Sequence, residues 1–313
     1  MGSVHMIEAF LFPGQGSQKV GMGKDLFENL AQARLRYEEA NQIMGMDLAK
    51  LSFEGPEEEL RRTEFTQPAI FVASVVLSEM LMESGTDPSY STGHSLGEYS
   101  ALTAAGVFNF HDALTLVKFR GETMSRAGCE QRGSMAAIIG LSNKVLSKLC
   151  DNASQGDEVV VPANFNSPGQ IVISGSVKAV KLAMELANKA GAKKTVELNV
   201  SGAFHSPLMA SAKNAMIEAL EEVDLNPARF PVVMNVSAAA TTAPEQILKN
   251  LISQLDHPVR WVETIETLRE SGVNSFLEVG PGRILQGLNR RIDRSLPIRG
   301  IERIEHLEEL EVA

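Results

Sequence analysis

Short runs that read as strands stand at 7–12, 134–140, 159–163, 170–174, 194–200, 232–236 and 275–279, set off by glycine, proline or polar residues. A further segment, Ser89-Tyr90-Ser91-Thr92, has the position of a strand but is polar for a buried parallel one. Between these runs, helical spacing covers 25–44, 66–83, 99–105, 112–127, 143–152, 177–189, 244–254 and 262–271, and a final helix begins near Ile284. The most apolar of them, 66–83, is predicted to start near Pro68 and to end before Gly85. A proline in the first helical turn removes an N–H that has no partner there anyway. Asp112 stands near the start of its helix, where the helix dipole favours a carboxylate.

The order of these elements separates two regions. Residues 131–199 read β-α-β-β-α-β, the ferredoxin-like pattern, for which about 65 residues suffice. On either side, strands alternate with helices, which implies a mostly parallel sheet covered on both faces. The predicted fold class is therefore α/β. A core built from 6–130 and 200–313 carries the parallel sheet, and a ferredoxin-like α+β subdomain is inserted at 131–199. No repeat or low-complexity linker interrupts it. No run of about 18 apolar residues is evident, so no membrane span is expected. Residues 1–5 read as an expression-tag remnant, with Met6 as the natural start and no signal peptide.

Composition narrows the function classes. Of 313 residues, 44% are hydrophobic and 22% charged, an ordinary balance for a globular chain. The formal charge of −10, from 29 basic and 39 acidic residues, argues against a nucleic-acid partner, because phosphates would be repelled. Cys129 and Cys150 show no metal-ligand spacing, and two thiols in so long a chain suggest a reducing, cytoplasmic compartment.

The central chemical signal is Gly93-His94-Ser95-Leu96-Gly97, a G-x-S-x-G between a short strand and a helix. In that context the glycines permit a sharp turn that exposes the serine oxygen at a helix start. The bland alternative is a glycine-rich turn with a capping serine. A serine nucleophile needs a base. Of the six histidines, His5 lies in the tag, His94 adjoins Ser95, His306 lies in a charged tail, and His111 and His257 sit beside Asp112 and Asp256. His205 follows the predicted strand 194–200 on a loop, from which it could reach a nucleophile at another strand end. Its alternative is a helix-capping role. The loop Phe12-Pro13-Gly14-Gln15-Gly16-Ser17-Gln18 matches neither a dinucleotide nor a P-loop spacing, but could offer a backbone N–H to an oxyanion. Arg120, beside Phe119, either lies at the surface or grips a substrate carboxylate with two parallel bonds.

Taken together the motifs resemble the malonyl-coenzyme A:acyl carrier protein transacylases and the acyltransferase domains of polyketide and fatty acid synthases. The matching blocks are FPGQGSQ at 12–18, TQPAI at 66–70, GHSLGEYSAL at 93–102, FRGETM at 119–124, NFNSPGQIVISG at 164–175, GAFHS at 202–206 and EVGPG at 278–282. The resemblance implies a hydrolase-like α/β core with a ferredoxin-like lobe. It implies transfer of a malonyl group from malonyl-CoA to the phosphopantetheine thiol of an acyl carrier protein through a malonyl-serine, with ping-pong kinetics and no bound cofactor or metal. Residue by residue, Ser95 matches the acylated serine, His205 the catalytic histidine and Arg120 the arginine that binds the malonyl carboxylate. Gln15 and Leu96 match the backbone donors of the oxyanion hole, and Gln254 the residue whose carbonyl orients the histidine. Gln67 and Asn164 stand in matched blocks near the site. Phe204 matches a phenylalanine expected to crowd an α-methyl branch. The polar segment at 89–92 departs from the family, where apolar residues are usual.

An acidic carrier protein would need a local basic patch for docking. The stretch 283–303 holds six arginines against Asp293 and Glu302, which makes Arg290, Arg291 and Arg294 candidates. The blander reading of such a run is a solvated helix face. The competing functions are a serine esterase or thioesterase on a similar core and a silent carrier-binding scaffold. A monomer is expected of a stand-alone member.

Overall fold

The computed structural model describes residues 7–311; the predicted tag remnant, with His5, lies outside them. In chain order the first part comprises β1 (Glu8–Phe12), α1 (Lys24–Asn29), α2 (Ala31–Met44), α3 (Leu48–Glu54), α4 (Glu57–Leu60), α5 (Thr63–Glu83), β2 (Tyr90–Gly93), α6 (Gly97–Ala104) and α7 (Phe110–Glu130). The middle comprises β3 (Gly133–Ile139), α8 (Asn143–Ala153), β4 (Val160–Ser167), β5 (Gln170–Ser176), α9 (Val177–Lys189) and β6 (Lys194–Glu197). A 3-10 turn (Pro207–Met209) then leads into α10 (Ala210–Glu221), β7 (Val232–Val233), β8 (Ala240–Thr241), α11 (Pro244–Gln254), α12 (Trp261–Glu270), β9 (Ser275–Val279), α13 (Ile284–Ile292), β10 (Ile298–Ile301) and α14 (Ile304–Glu311).

The larger sheet runs β10-β9-β1-β2-β7-β8; every pair is parallel except the last. Its central strand β1 is buried along its whole length. Phe10 and Phe12 enter one core with α5, α6 and α7, while Ala9 and Leu11 enter a second with Trp261, Ile265 and Phe276. Apolar residues on both faces follow from helices packed on both sides. The polar β2 is buried because its hydroxyls find acceptors: Thr92 Oγ1 donates to the Val233 carbonyl at 2.7 Å and Ser91 Oγ to that of Ala101 at 3.4 Å.

The smaller sheet is antiparallel, in the order β4-β5-β3-β6. One face, with Ala136, Ile138, Ile171 and Ile173, packs on α8 and α9 in a core of its own. Met135 and Val172, on the opposite face, join the main core.

Several sequence expectations change. The stretch 25–44 is broken at Leu30, whose extended backbone separates α1 from α2. Helix α5 begins at Thr63, so Pro68 lies in its interior rather than its first turn. This helix is long and apolar enough to cross a membrane by length and composition, but 78% of its most apolar window is buried inside the protein. The expected loop at 164–169 is largely strand: β4 continues to Ser167 through two register shifts, and only Pro168 and Gly169 turn the chain. The helix at Ile284 is not the last, since β10 and α14 follow it. Helix α10 fills a stretch, 210–221, that the apolar pattern left unassigned.

Candidate active site

The C-terminal ends of β1, β2 and β7 lie side by side, and the chain turns there into the loops that build a cleft. Ser95 sits in the turn between β2 and α6 with φ 51°, a left-handed conformation costly for a side-chain-bearing residue. The two glycines that flank it are sterically required. A Cβ on Gly93 would stand 2.0 Å from the Gly97 backbone, and one on Gly97 would stand 2.1 Å from the Phe12 carbonyl oxygen. His205 is also left-handed, at φ 59°, on the loop between β6 and the 3-10 turn.

These two distant residues meet. Ser95 Oγ lies 2.8 Å from His205 Nε2. His205 Nδ1 lies 2.8 Å from the Gln254 carbonyl oxygen, which can only accept, so Nδ1 carries the proton and Nε2 is free to take one from the serine. Burial first, and then the nearby Arg120 charge, push the His205 imidazole down to about 3. It is therefore neutral at physiological pH, as a base must be.

Arg120, on α7, is buried. Its Nη1 donates to Gln67 Oε1 at 2.5 Å; its Nη2 donates to Gln254 Oε1 at 2.8 Å and to Ser95 Oγ at 3.1 Å. Burial lowers its pKa, opposed by Tyr99 and Glu98. Among the described residues no carboxylate lies within 4.0 Å of it. Gln254 does more than lend a carbonyl, because its Nε2 also donates to the Ser95 carbonyl at 2.9 Å. Gln67 Nε2 donates to Thr63 Oγ1, whose hydroxyl donates to Gln15 Oε1, each at 2.8 Å. A chain of polar contacts thus runs from the guanidinium to the loop after β1. Among the described residues neither the Gln15 nor the Leu96 backbone N–H is used in a hydrogen bond.

These groups face a cavity of about 200 Å³, lined by Gln15, Gln67, Ser95, Leu96, Arg120 and His205 on its polar side. Met135, Val172, Leu198, Phe204 and Leu288 make much of the apolar remainder. Asn164 lines it too, with a buried Oδ1 that has no partner among the described residues. Arg290, Arg291 and Arg294 lie outside it, exposed on and just after α13; Arg291 reaches Gln170, itself on the cavity wall. The other histidines stand apart from the serine hydroxyl. His94 bonds Asn166 at 2.8 Å and packs near Trp261, and His111, His257 and His306 have partners elsewhere. Among the described residues no cluster of His, Cys, Asp or Glu could hold a metal ion.

Two residues at this site escaped the sequence reading. Asn235, just past β7, touches the serine turn. Glu98 is fully buried behind it, and burial raises its carboxyl to about 7 against the pull of the Asn235 N–H and Arg120. Glu98 stands inside the GHSLGEYSAL block and could have been noticed as a charge on a buried helix face. Asn235 is 140 positions from Ser95 and carries no local signal.

A fold with a parallel sheet and a serine–histidine pair at its strand ends defines a class of group-transferring and hydrolytic enzymes. Residues 9–302 match the acyl transferase domain family. The chain is 45% identical over 300 residues to the malonyl CoA-acyl carrier protein transacylase of Bacillus subtilis, covering 96% of this chain and 95% of that protein. It is 44% identical over 285 residues to the Escherichia coli protein of the same name, covering 91% and 92%. Among solved structures, the malonyl-CoA:acyl carrier protein transacylase of Xanthomonas oryzae superposes with a TM-score of 0.94 at 42% identity, covering 98% of both chains. A type II PKS acyl-carrier protein in complex with its malonyl-transacylase gives a TM-score of 0.93 at 43% identity, covering 96% of this chain and 97% of that one. The chain belongs to the malonyl CoA-acyl carrier protein transacylase family of acyltransferases.

Proposed function

We propose that this enzyme moves a malonyl group from malonyl-CoA to the phosphopantetheine thiol of an acyl carrier protein, with Ser95 as nucleophile, His205 as base and Arg120 as the carboxylate anchor. The observation that carries the reading is the shared contact of Ser95 Oγ with His205 Nε2 at 2.8 Å and Arg120 Nη2 at 3.1 Å. A serine hydroxyl, a neutral imidazole and a buried guanidinium meet at one small cavity, which supports the reading.

Ser95 Oγ attacks the thioester carbonyl carbon as its proton passes to His205 Nε2. The negative charge on the former carbonyl oxygen is held by the N–H groups of Gln15 and Leu96, an arrangement in which one lost donor typically costs about 3–4 kcal/mol of barrier. Collapse breaks the carbon–sulfur bond, and the imidazolium returns the proton to the leaving coenzyme A sulfur. The carrier thiol then attacks the malonyl-serine ester, gives its proton to His205, and that proton is handed back to Ser95 Oγ. The two half-reactions share one site, so the kinetics are ping-pong.

The malonyl carboxylate takes the place of the amide and hydroxyl oxygens that now face the guanidinium. No catalytic carboxylate is needed, since the Gln254 carbonyl orients the imidazole. Phe204, beside the base and 6% exposed, narrows the cavity where an α-methyl group would sit. Arg290, Arg291 and Arg294 form the docking surface for an acidic carrier. We further divide the chain into a core of 6–130 and 200–313 and a ferredoxin-like subdomain at 131–199, on the strength of the smaller sheet and its own core. Free thiols at Cys129 and Cys150 support a cytoplasmic setting.

The test is covalent trapping. Incubation with malonyl-CoA should add one malonyl mass to the parent enzyme at Ser95 and none to Ser95→Ala. Malonylation that survives in the variant would remove Ser95 from the mechanism.

A further inference from the structure

Ser95 is held in a conformation that it would not adopt freely; the Gln254 amide holds its carbonyl, and a second side chain holds its N–H and the turn before it. Asn235 Oδ1 accepts the Ser95 backbone N–H at 2.7 Å, and Asn235 Nδ2 donates to the Gly93 carbonyl at 2.6 Å. The two bonds bracket the turn from both ends. The backbone of Asn235 is fixed in its own right, its N–H donating to Glu98 Oε2 at 2.6 Å and its carbonyl accepting from Arg260 N at 3.1 Å. Asn235 and Glu98 are both fully buried.

We propose that Asn235, locked in place by Glu98, is a positioning residue that clamps the nucleophile turn and commits the Leu96 N–H, rather than that of Ser95, to the developing oxyanion. The proposal rests on the reading of Ser95 as nucleophile. Its physical content is a count of donors. Three successive N–H groups lie near the cleft at the start of α6. That of Ser95 is consumed by Asn235 and that of Gly97 by the His94 carbonyl at 3.0 Å, which leaves that of Leu96. Without the amide of Asn235, the Ser95 N–H and the Gly93 carbonyl lose their partners, and the left-handed Ser95 is free to relax. A relaxed turn moves Oγ and the Leu96 N–H together, away from the line that joins His205 to the thioester. The role of Glu98 is to fix the clamp. Its oxygen receives the Asn235 N–H in a dry site where such a bond is strong, and the pull of that N–H on the Glu98 carboxyl is in keeping with this.

Asn235→Ala removes both bonds. Asn235→Asp keeps the shape and an acceptor for Ser95 but sets an oxygen against the Gly93 carbonyl. Active sites are titrated with a fluorophosphonate that labels a reactive serine, and malonyl transfer is expressed per titrated site. In both variants kcat per site and the rate of phosphonylation should fall together by about ten- to a hundredfold, with KM for malonyl-CoA within about twofold. A residue that merely stabilises the fold would instead lower the titratable fraction and leave kcat per site unchanged, and that result would overturn the clamp. If the alanine variant does not fold, the near-isosteric aspartate variant decides by the same measure. Labelling of the parent at a residue other than Ser95 would refute the nucleophile assignment. Labelling at Ser95 with undiminished kcat per site in the variants would refute the clamp alone.

Discussion

A buried guanidinium with no carboxylate within 4.0 Å is a costly object, and among the described residues Arg120 has none. Its contacts are the oxygens of Gln67, Gln254 and Ser95, neutral acceptors that engage its two Nη groups without cancelling its charge, while its buried Nε has no partner among the described residues. On the proposed reading a malonyl carboxylate supplies the missing charge, and an acetyl group cannot. Arg120→Ala should therefore lower kcat/KM for malonyl-CoA by roughly a hundredfold or more and narrow its advantage over acetyl-CoA. Steady-state rates with the two thioesters would show it, and unchanged malonyl turnover would take the carboxylate away from Arg120. At this scale most of the site was legible in the sequence. Ser95, His205 and Arg120 stand in short motifs, the Gln254 carbonyl follows only from the resemblance as a whole, and the four converge in one cleft. What stayed hidden were contacts made by side chains whose motifs announce something else or nothing. The Gln254 amide tied to the Ser95 carbonyl is one, and the Asn235 amide is the other. Their partners are fixed by the meeting of elements distant in sequence, Gln254 at the end of α11 and Asn235 just past β7, which no local pattern encodes.

Between β2 and α6 the chain reverses within a few residues, and the steric demand falls on the glycines more than on the serine. Gly97 packs directly on the end of β1, where an added Cβ would meet the Phe12 carbonyl at 2.1 Å. Backbone at the centre of a sheet yields less readily than a flexible side chain. Gly97→Ala should destabilise the fold by about 1–3 kcal/mol and disturb the proposed oxyanion donor at Leu96 at the same time. Thermal unfolding alongside malonyl transfer would detect both effects, and a variant with parental melting and rate would mean that the turn is looser than its contacts imply. The elements themselves were partly readable. Helices α9 and α11 and strand β9 fall at their predicted bounds, because each combines clear periodicity with a terminal signal. Polar β2 was doubtful for the reason it succeeds, since hydroxyls at Ser91 and Thr92 can satisfy carbonyls that apolar side chains would leave alone. The helices 48–54 and 57–60 were missed because short segments carry too few turns to establish a period. The loop expected at 164–169 is strand as far as Ser167, so Asn164 and Asn166 are strand residues near the cleft.

On the whole molecule the charge is unevenly spread. The chain carries −10, yet the stretch from Arg283 to Arg303 is basic, and the structure sets its exposed part beside the cavity through α13. Ile284, Leu285 and Leu288 of that helix line the cavity, while Arg290 and Arg294 face solvent without an ion pair among the described residues. Other charges in the stretch are engaged, Asp293 with Arg269, Arg299 with Glu8 and Glu302 with Lys19. In the proposed docking these unpaired arginines meet an acidic carrier as its phosphopantetheine arm enters. Exposed pairs are individually weak, so the effect of any one of them is small. Reversing both in an Arg290→Glu, Arg294→Glu enzyme replaces two attractions with two repulsions, and KM for the carrier protein should rise about tenfold. The parent should lose carrier affinity as salt is raised, because screening shortens the reach of those charges, and the double variant should be less sensitive. Initial rates against carrier concentration at low and high ionic strength would measure both quantities. A double variant with the parent's KM and the parent's salt response would move the docking surface elsewhere on the molecule.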